Sequence, residues 1–376
     1  MNLMPHQIKY AQGAPDKVLM VWETGVGKSV AGAVWLHDKR DADALVICPK
    51  RIVAKWQRTL QDWDTKATVL SKENFKKYPI KKWSAVIVDE ADEFASGLFL
   101  KGRSQLSESL YKLVQAYPDM PIMLATATPV RSSSWNLHSL LCFYGQYYDW
   151  KEWRSTFFSL EARPYLKWKA WLPKPDWRKK MRPILESHAD IVLLKDCVDV
   201  LPPVTETIVK TPCDVFPGTE ELQPTARFVA EHQWEQKNKI KDILEIGKEY
   251  RKVIVVAYYV EQLKALGKML EKDRQTYVVY GGTKGQEEIL KEANEVDECF
   301  LVVQASLGIG WDANTFSCVI FTSMSYKVRD FVQFKGRVRR INDLHPVHYY
   351  YLHGGRCDKQ VYKTIQAGRD FIPSEW

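Results

Sequence analysis

Thr24-Gly25-Val26-Gly27-Lys28-Ser29 stands between an apolar run at residues 18–21 and a stretch of helical periodicity at residues 28–38. A strand, a glycine-rich turn and a helix in that order are what a phosphate-binding loop needs. Gly25 and Gly27 let backbone N–H groups close around phosphate oxygens. Lys28 reaches β/γ-phosphates, and the Ser29 hydroxyl ligates Mg²⁺. The helix N-terminus adds the positive end of its dipole. Residues 24–29 are therefore expected to hold the phosphates of ATP, with Ser29 on the metal. Trp22 occupies the position where such loops usually carry their first glycine. The competing reading is a chance Gly-Lys-Ser at a helix start.

Residues 85–88 form an apolar run that ends in Asp89-Glu90-Ala91-Asp92. A Mg²⁺-dependent ATPase needs such acids opposite its phosphate loop: Asp89 to hold the metal, Glu90 to polarise the attacking water. Solvated acids at a strand end are the alternative. Thr126-Ala127-Thr128-Pro129 closes the next apolar run, and its hydroxyls suit γ-phosphate sensing; a plain turn before Pro129 competes. Gln333, Arg337 and Arg340 recur at i, i+4 and i+7, so a helix would bring them to one face. Two guanidiniums there suit charge stabilisation of a transferring phosphoryl group; a solvated basic face or a nucleic-acid contact is the stronger local reading. Gly308-Ile309-Gly310-Trp311-Asp312 follows a further apolar run and suits a loop between nucleotide and polymer, with an ordinary turn as the rival reading.

The elements that must position these groups alternate between strand and helix in two blocks. Residues 1–145 and 211–376 each read as an α/β unit with a mostly parallel sheet, which binds ligands at the carboxyl ends of its strands. Residues 146–210 read as an irregular aromatic and basic insert with a Pro-rich linker, and residues 225–250 as one charged helix. Between residues 163 and 182 eight basic residues face a single acid, Asp176, for a net charge of +7 against +8 for the whole chain. Lys169, Arg178, Lys179 and Lys180 are the expected nucleic-acid contacts there. Trp168, Trp171 and Trp177 interleave with the charge and either stack on bases or pack the insert down. Pro164, Pro173, Pro175 and Pro183 speak against one long helix.

At 376 residues and 45% hydrophobic the chain can bury two cores. Its 7 cysteines are scattered without Cys-x-x-Cys, which argues against a disulfide frame or a zinc site and for a reduced compartment. The N-terminus has no signal-peptide pattern, and the apolar runs are too short to span a membrane. An intracellular monomer in the cytoplasm or nucleoid is expected, or in a host cytoplasm if phage-encoded.

The order of the pieces resembles the superfamily-two helicases and translocases: phosphate loop, Asp-Glu, Thr-Ala-Thr, a second α/β unit, then Gln-x-x-Gly-Arg-x-x-Arg. The resemblance runs from Pro5 to Arg340. It implies two RecA-like domains, ATP and Mg²⁺ as cofactors, ATP in the cleft and nucleic acid across both domains. The chain is most similar to the Swi/Snf-type branch of duplex-DNA translocases. Pro5-His6-Gln7 looks like that branch's Arg-Pro-Tyr-Gln, which implies that Gln7 reads adenine. Val46-Ile47-Cys48-Pro49 followed by Trp56 is similar to its Val-Cys-Pro…Trp. Leu194-Lys195, Asp199 to Pro203 and Glu206 resemble its inter-domain junction, and Tyr280-Gly281-Gly282-Thr283 its Asp-Gly-Ser/Thr element. The resemblance thereby assigns Gly310 and Asp312 to the cofactor, and Thr283 and Gln304 to nucleic acid. Gln304-Ala305 stands in place of Thr-Arg, and Asp312 in place of Asn. Asp-Glu-Ala-Asp suggests a DEAD-box label, but Cys48-Pro49-Lys50-Arg51 is not that group's Pro-Thr-Arg-Glu-Leu-Ala.

Together these readings point to an ATP-dependent translocase on nucleic acid, with duplex DNA as the favoured track. One alternative is a strand-separating helicase on branched DNA or RNA. Another, of a different class, is a non-hydrolysing DNA-binding regulatory protein.

Overall fold

The computed structural model describes residues 3–373 apart from 39–42, 96–103, 131–132, 163–168, 198–202, 219–221, 308–312, 314 and 339–344. Gly308, Gly310, Asp312, Arg340, Trp168 and the junction residues Asp199 to Pro202 lie outside the described residues. The chain divides into two compact units, Met1–Cys197 and Val198–Trp376.

The first unit runs α1 (Pro5–Ala11), β1 (Lys17–Trp22), α2 (Lys28–Asp38), β2 (Leu45–Cys48), α3 (Val53–Asp62), β3 (Thr68–Ser71), α4 (Lys72–Phe75), β4 (Val86–Asp89), α5 (Gln105–Ala116), β5 (Ile122–Thr126) and α6 (Trp135–Tyr144). It continues with α7 (Trp150–Phe157), β6 (Phe158–Ala162), β7 (Lys169–Pro173), α8 (Trp177–His188) and β8 (Ala189–Val192). Six strands form one parallel sheet in the order β3-β2-β4-β5-β1-β8. β2, β4 and β5 are buried along their whole length, as continuous apolar runs between two helical layers should be. Helix starts carry their own signals: Pro5 begins α1, and the Ser104 and Asp149 side chains accept backbone N–H groups at the starts of α5 and α7.

Of the stretch 146–210 read from sequence as an irregular insert, the described residues up to Cys197 form regular elements and cluster with this unit. β6 and β7 form an antiparallel hairpin, and β8 extends the sheet beside β1. Lys179, Lys180, Arg182 and Glu186 of α8 are exposed, Arg178 is half-buried, and Trp177 and Met181 are buried in the core with Trp153 and Phe157. Pro183 lies inside α8. It withholds an N–H from the carbonyl of Lys179, but both residues are exposed, so water can satisfy that carbonyl.

The second unit runs β9 (Val204–Lys210), α9 (Pro224–Trp234), α10 (Ile240–Gly247), β10 (Lys252–Ala257), α11 (Val260–Leu270), β11 (Thr276–Val279), α12 (Gln286–Glu295), β12 (Cys299–Gln304), β13 (Cys318–Phe321), α13 (Val328–Val338), β14 (Val347–His353) and α14 (Arg356–Gln366). Its six strands are also parallel, in the order β11-β12-β10-β13-β14-β9. Both units thus have the RecA-like α/β architecture. The single helix expected at 225–250 is two, α9 and α10, parted at residues 235–239. The break frees side chains for tertiary work. Glu235 accepts the N–H groups of Cys357 and Asp358 at the start of α14, both at 2.9 Å. Lys239, fully buried, donates to Asp358 Oδ2 (2.6 Å), Gln236 Oε1 (2.8 Å) and the Thr322 carbonyl. Burial works against the Asp358 carboxylate, but Lys239 and His232 outweigh it and hold its pKa well below the usual range.

Among the described residues, no helix is long and apolar enough to cross a membrane.

Candidate nucleotide site and nucleic-acid contacts

β1, β5 and β4 lie side by side, so their carboxyl ends open on the same edge of the sheet. Cα of Met20 is level with Ala125, and Ala125 with Asp89. The phosphate loop, Thr126–Thr128 and the Asp89-Glu90 pair are therefore neighbours, although the sequence separates them by scores of residues.

The loop is shaped by its glycines. Gly25 (φ 89°) and Gly27 (φ 84°) both sit in the left-handed region that L side chains rarely adopt. A Cβ on Gly27 would lie 2.3 Å from Gln7 Nε2, so a side chain there would displace the Gln7 amide as well as strain the backbone. The closeness has a function: Gln7 Nε2 donates to the Gly27 carbonyl (3.2 Å), and His6 Nε2 meets the Val26 carbonyl at 2.9 Å. Met4 N–H in turn donates to Gln7 Oε1 (2.9 Å). Gln7, expected to read a base, is thus 4% exposed and tied to the loop backbone. The Lys28 ammonium donates to the carbonyls of Trp22 (2.9 Å) and Glu23 (3.0 Å), and Ser29 is the second residue of α2.

Asp89 ends β4 with both carboxylate oxygens engaged. Trp56 Nε1, from α3, donates to Oδ2 at 2.8 Å, and the Glu90 N–H donates to Oδ1 at 2.9 Å. A carboxylate oriented in this way at a strand end is a hard oxygen donor of the kind Mg²⁺ takes. Glu90 is one of two non-glycine residues with positive φ among the described residues (φ 52°, ψ 48°). Strain of this kind persists where surrounding structure over-determines it, and it turns the Glu90 side chain away from the direction the strand would give it. Thr126 Oγ1 donates to Asp92 Oδ1 (2.9 Å) and Thr128 Oγ1 to Asp92 Oδ2 (3.4 Å), linking the third strand end to the acidic turn.

These residues suit a phosphate chain with a hard cation. The loop offers backbone N–H groups, two glycines in the left-handed region and an ammonium resting on carbonyls. A hydroxyl and a carboxylate are the oxygen donors Mg²⁺ prefers.

Three contributors escaped sequence reasoning: Tyr10, Trp22 as a structural piece, and Asp190. Asp190 Oδ2 accepts Tyr10 Oη–H at 2.5 Å and Trp22 Nε1–H at 2.9 Å, and Oδ1 accepts Lys9 Nζ at 2.5 Å. No local pattern marks an acid in Ala189-Asp190-Ile191-Val192 as a partner of a residue 168 positions earlier.

In the second unit Thr283 and Gln304 come together. The Tyr280 N–H donates to Thr283 Oγ1 (3.0 Å), and the Gly281 N–H donates to Gln304 Oε1 (3.0 Å), at the adjacent ends of β11 and β12. Gln333 and Arg337 share α13. Gln333 is 1% exposed, and neither its amide oxygen nor its nitrogen meets a hydrogen-bond partner among the described residues. Arg337 is half-buried, and its carbonyl accepts the Ala313 N–H (3.1 Å). Of the insert cations, Lys169, Lys179 and Lys180 are exposed; Lys180 pairs with Asp176 at 2.8 Å, and the Arg178 guanidinium lies 4.7 Å from the Trp177 ring centre. Trp177 is core, whereas Trp171 is 41% exposed with Arg154 4.3 Å from its ring centre.

Residues 235–342 match the family model described as "Helicase conserved C-terminal domain". The match covers less than a third of the chain, lies within the second unit and takes in β10 to α13. It indicates a helicase-type nucleic-acid enzyme of superfamily one or two. No curated protein matches the chain.

Proposed function

We propose that the chain is an ATP- and Mg²⁺-dependent translocase on nucleic acid, of the Swi/Snf type, with duplex DNA as its track. One observation carries the reading: a glycine-shaped loop, a strained Asp89-Glu90 pair and a Thr126–Asp92 link occupy the carboxyl ends of three adjacent strands. Lys28 and the loop N–H groups hold the phosphates. Ser29 and Asp89 hold the cation, which supplies charge neutralisation at the transferring phosphoryl group. Glu90 orients the attacking water and takes its proton. Arg337 and Arg340 are assigned the negative charge that develops in the transition state. Thr283, Gln304 and the insert cations Lys169, Arg178, Lys179 and Lys180 are assigned to the nucleic-acid backbone, and Gly310 and Asp312 to the nucleotide. The helicase-domain match of the second unit agrees with this class of enzyme.

The test is ATP turnover measured in parallel with duplex DNA, single-stranded DNA, branched DNA and RNA. Duplex DNA should stimulate most, and Glu90→Gln should lower turnover on the order of 10²–10⁴-fold, the usual weight of a general base, while nucleotide still binds. Stimulation by RNA alone would overturn the duplex-DNA track. Near-normal turnover in Glu90→Gln would remove Glu90 from its role.

A further inference from the structure

β8 follows α8 with no connecting residue and ends beside the phosphate loop. Its register against β1 sets Asp190 level with Met20 and Val192 level with Trp22. Beyond the sheet the pairing continues: the Glu23 N–H donates to the Val192 carbonyl (2.9 Å), and the Leu194 N–H donates to Glu23 Oε2 (2.5 Å). The entry to the loop is therefore gripped by residues 190–194.

Asp190 is the centre of that grip. Its carboxylate takes donors from α1 (Lys9 and Tyr10) and from the end of β1 (Trp22). Trp22 is fully buried, with the His6 and Tyr10 rings edge-on at 4.9 and 5.6 Å. The large side chain at the position where such loops usually carry a glycine is thus absorbed against α1. α1 then presents His6 and Gln7 to the carbonyls of Val26 and Gly27, and the Trp22 carbonyl holds the Lys28 ammonium. Burial, and then the Asp190 hydrogen bond, push the Tyr10 phenol far above its usual pKa, so it remains a donor at any working pH.

We propose that Asp190 is a positioning residue for nucleotide binding: by fixing Trp22 and Tyr10 together it holds α1 and the phosphate loop in the shape that admits a triphosphate. It touches no phosphate itself and acts through the residues it orients. The inference rests on the nucleotide site proposed above.

The experiment is titration of the full-length chain with a fluorescent N-methylanthraniloyl derivative of ATP in the presence of Mg²⁺, beside thermal melting of each variant. Asp190→Ala should weaken binding on the order of tenfold, the loss expected for a charge-assisted hydrogen bond. Asp190→Asn, which keeps one acceptor oxygen, should recover part of it. Tyr10→Phe should weaken binding less than Asp190→Ala, and the double variant should be no worse than Asp190→Ala alone, because both act through one contact. In turnover the loss should appear in KM for ATP, with kcat within about twofold of wild type. A purely structural role would lower the melting temperature and leave the affinity of the folded chain unchanged. If Asp190→Ala does not fold, Asp190→Asn and Tyr10→Phe carry the test. Wild-type affinity in both overturns the inference alone. A wild-type chain that does not bind the probe overturns the nucleotide site, and this inference with it.

Discussion

The stretch between the two blocks of motifs finishes both sheets, and it does so unequally. β8 closes the first sheet beside β1, and β9 closes the second beside β14. Each brings a carboxylate to a motif-bearing element. Asp190 takes three donors from two elements with its side chain 24% exposed. Among the described residues Glu206 takes one side-chain donor, Lys335 of α13, with the pair 34% and 29% exposed. The same structural device therefore locks a loop in one unit and decorates a helix in the other. What separates them is burial and the number of donors, because a solvated ion pair contributes little. The second unit keeps its tightly held charge elsewhere, in Lys239 and Asp358.

The largest expected effect breaks that second lock. Asp358→Ala leaves the Lys239 ammonium buried without its counter-charge and should cost about 3–5 kcal/mol. Hydrogen exchange should quicken across β13 and β14 while β1 and β5 keep their protection. Unchanged protection in β13 would show that the pair does not hold the second unit. Next, Lys169, Arg178, Lys179 and Lys180 changed together to Ala ask whether the chain leading into β8 is also a nucleic-acid surface. Affinity for duplex DNA should fall, and the slope of log K against log salt should flatten by up to ~0.9 per lost phosphate contact. An unaltered slope would assign these cations to solvent.

A smaller effect separates the two units by pH. Burial lowers the pKa of His138 in α6, against the opposing pull of the Tyr148 carbonyl. As pH falls below about 6.5 the unfolded chain takes the proton first. The stability this histidine allows is full above that pH and is lost as pH falls through the lower folded value. Eleven of the 14 tryptophans lie in residues 1–197, so their fluorescence reports the first unit. Its melting temperature should drop between pH 7 and pH 5, and less so in His138→Gln; an equal drop in that variant would point to other groups. The smallest effect is Glu206→Ala, expected at about 0–1 kcal/mol with nucleotide binding intact. A loss rivalling that of Asp190→Ala would erase the contrast between β8 and β9.

Much of the candidate site in the first unit could be picked out in the sequence because its pieces are local. Glycines, lysine and serine sit within six residues, and Asp89-Glu90 follows an unbroken apolar run. The strands of both sheets were legible where burial on two faces writes a continuous hydrophobic segment. β8 and β9 were not. Ala189-Asp190-Ile191-Val192 is short and broken by a carboxylate, and β9 alternates Thr, Glu and Ile like any exposed stretch. An edge strand is specified by the partner that needs it, which no window of neighbouring residues contains. The break between α9 and α10 was hidden for the same reason: Glu235 and Lys239 read as solvated helix charges until Asp358 and the start of α14 are beside them.

The distance along the chain between Trp22 and Asp190 also sets an order of events during synthesis. β1 leaves the ribosome ahead of β8, and the carboxylate that receives its indole follows 168 residues later. At 5–20 residues per second that is a wait of roughly 8–34 s. Through that interval the nascent loop has its glycines, its lysine and α1, but lacks the strand that grips its entry. The proposed nucleotide site, completed by its unit's last strand, would mature only when that strand has been made.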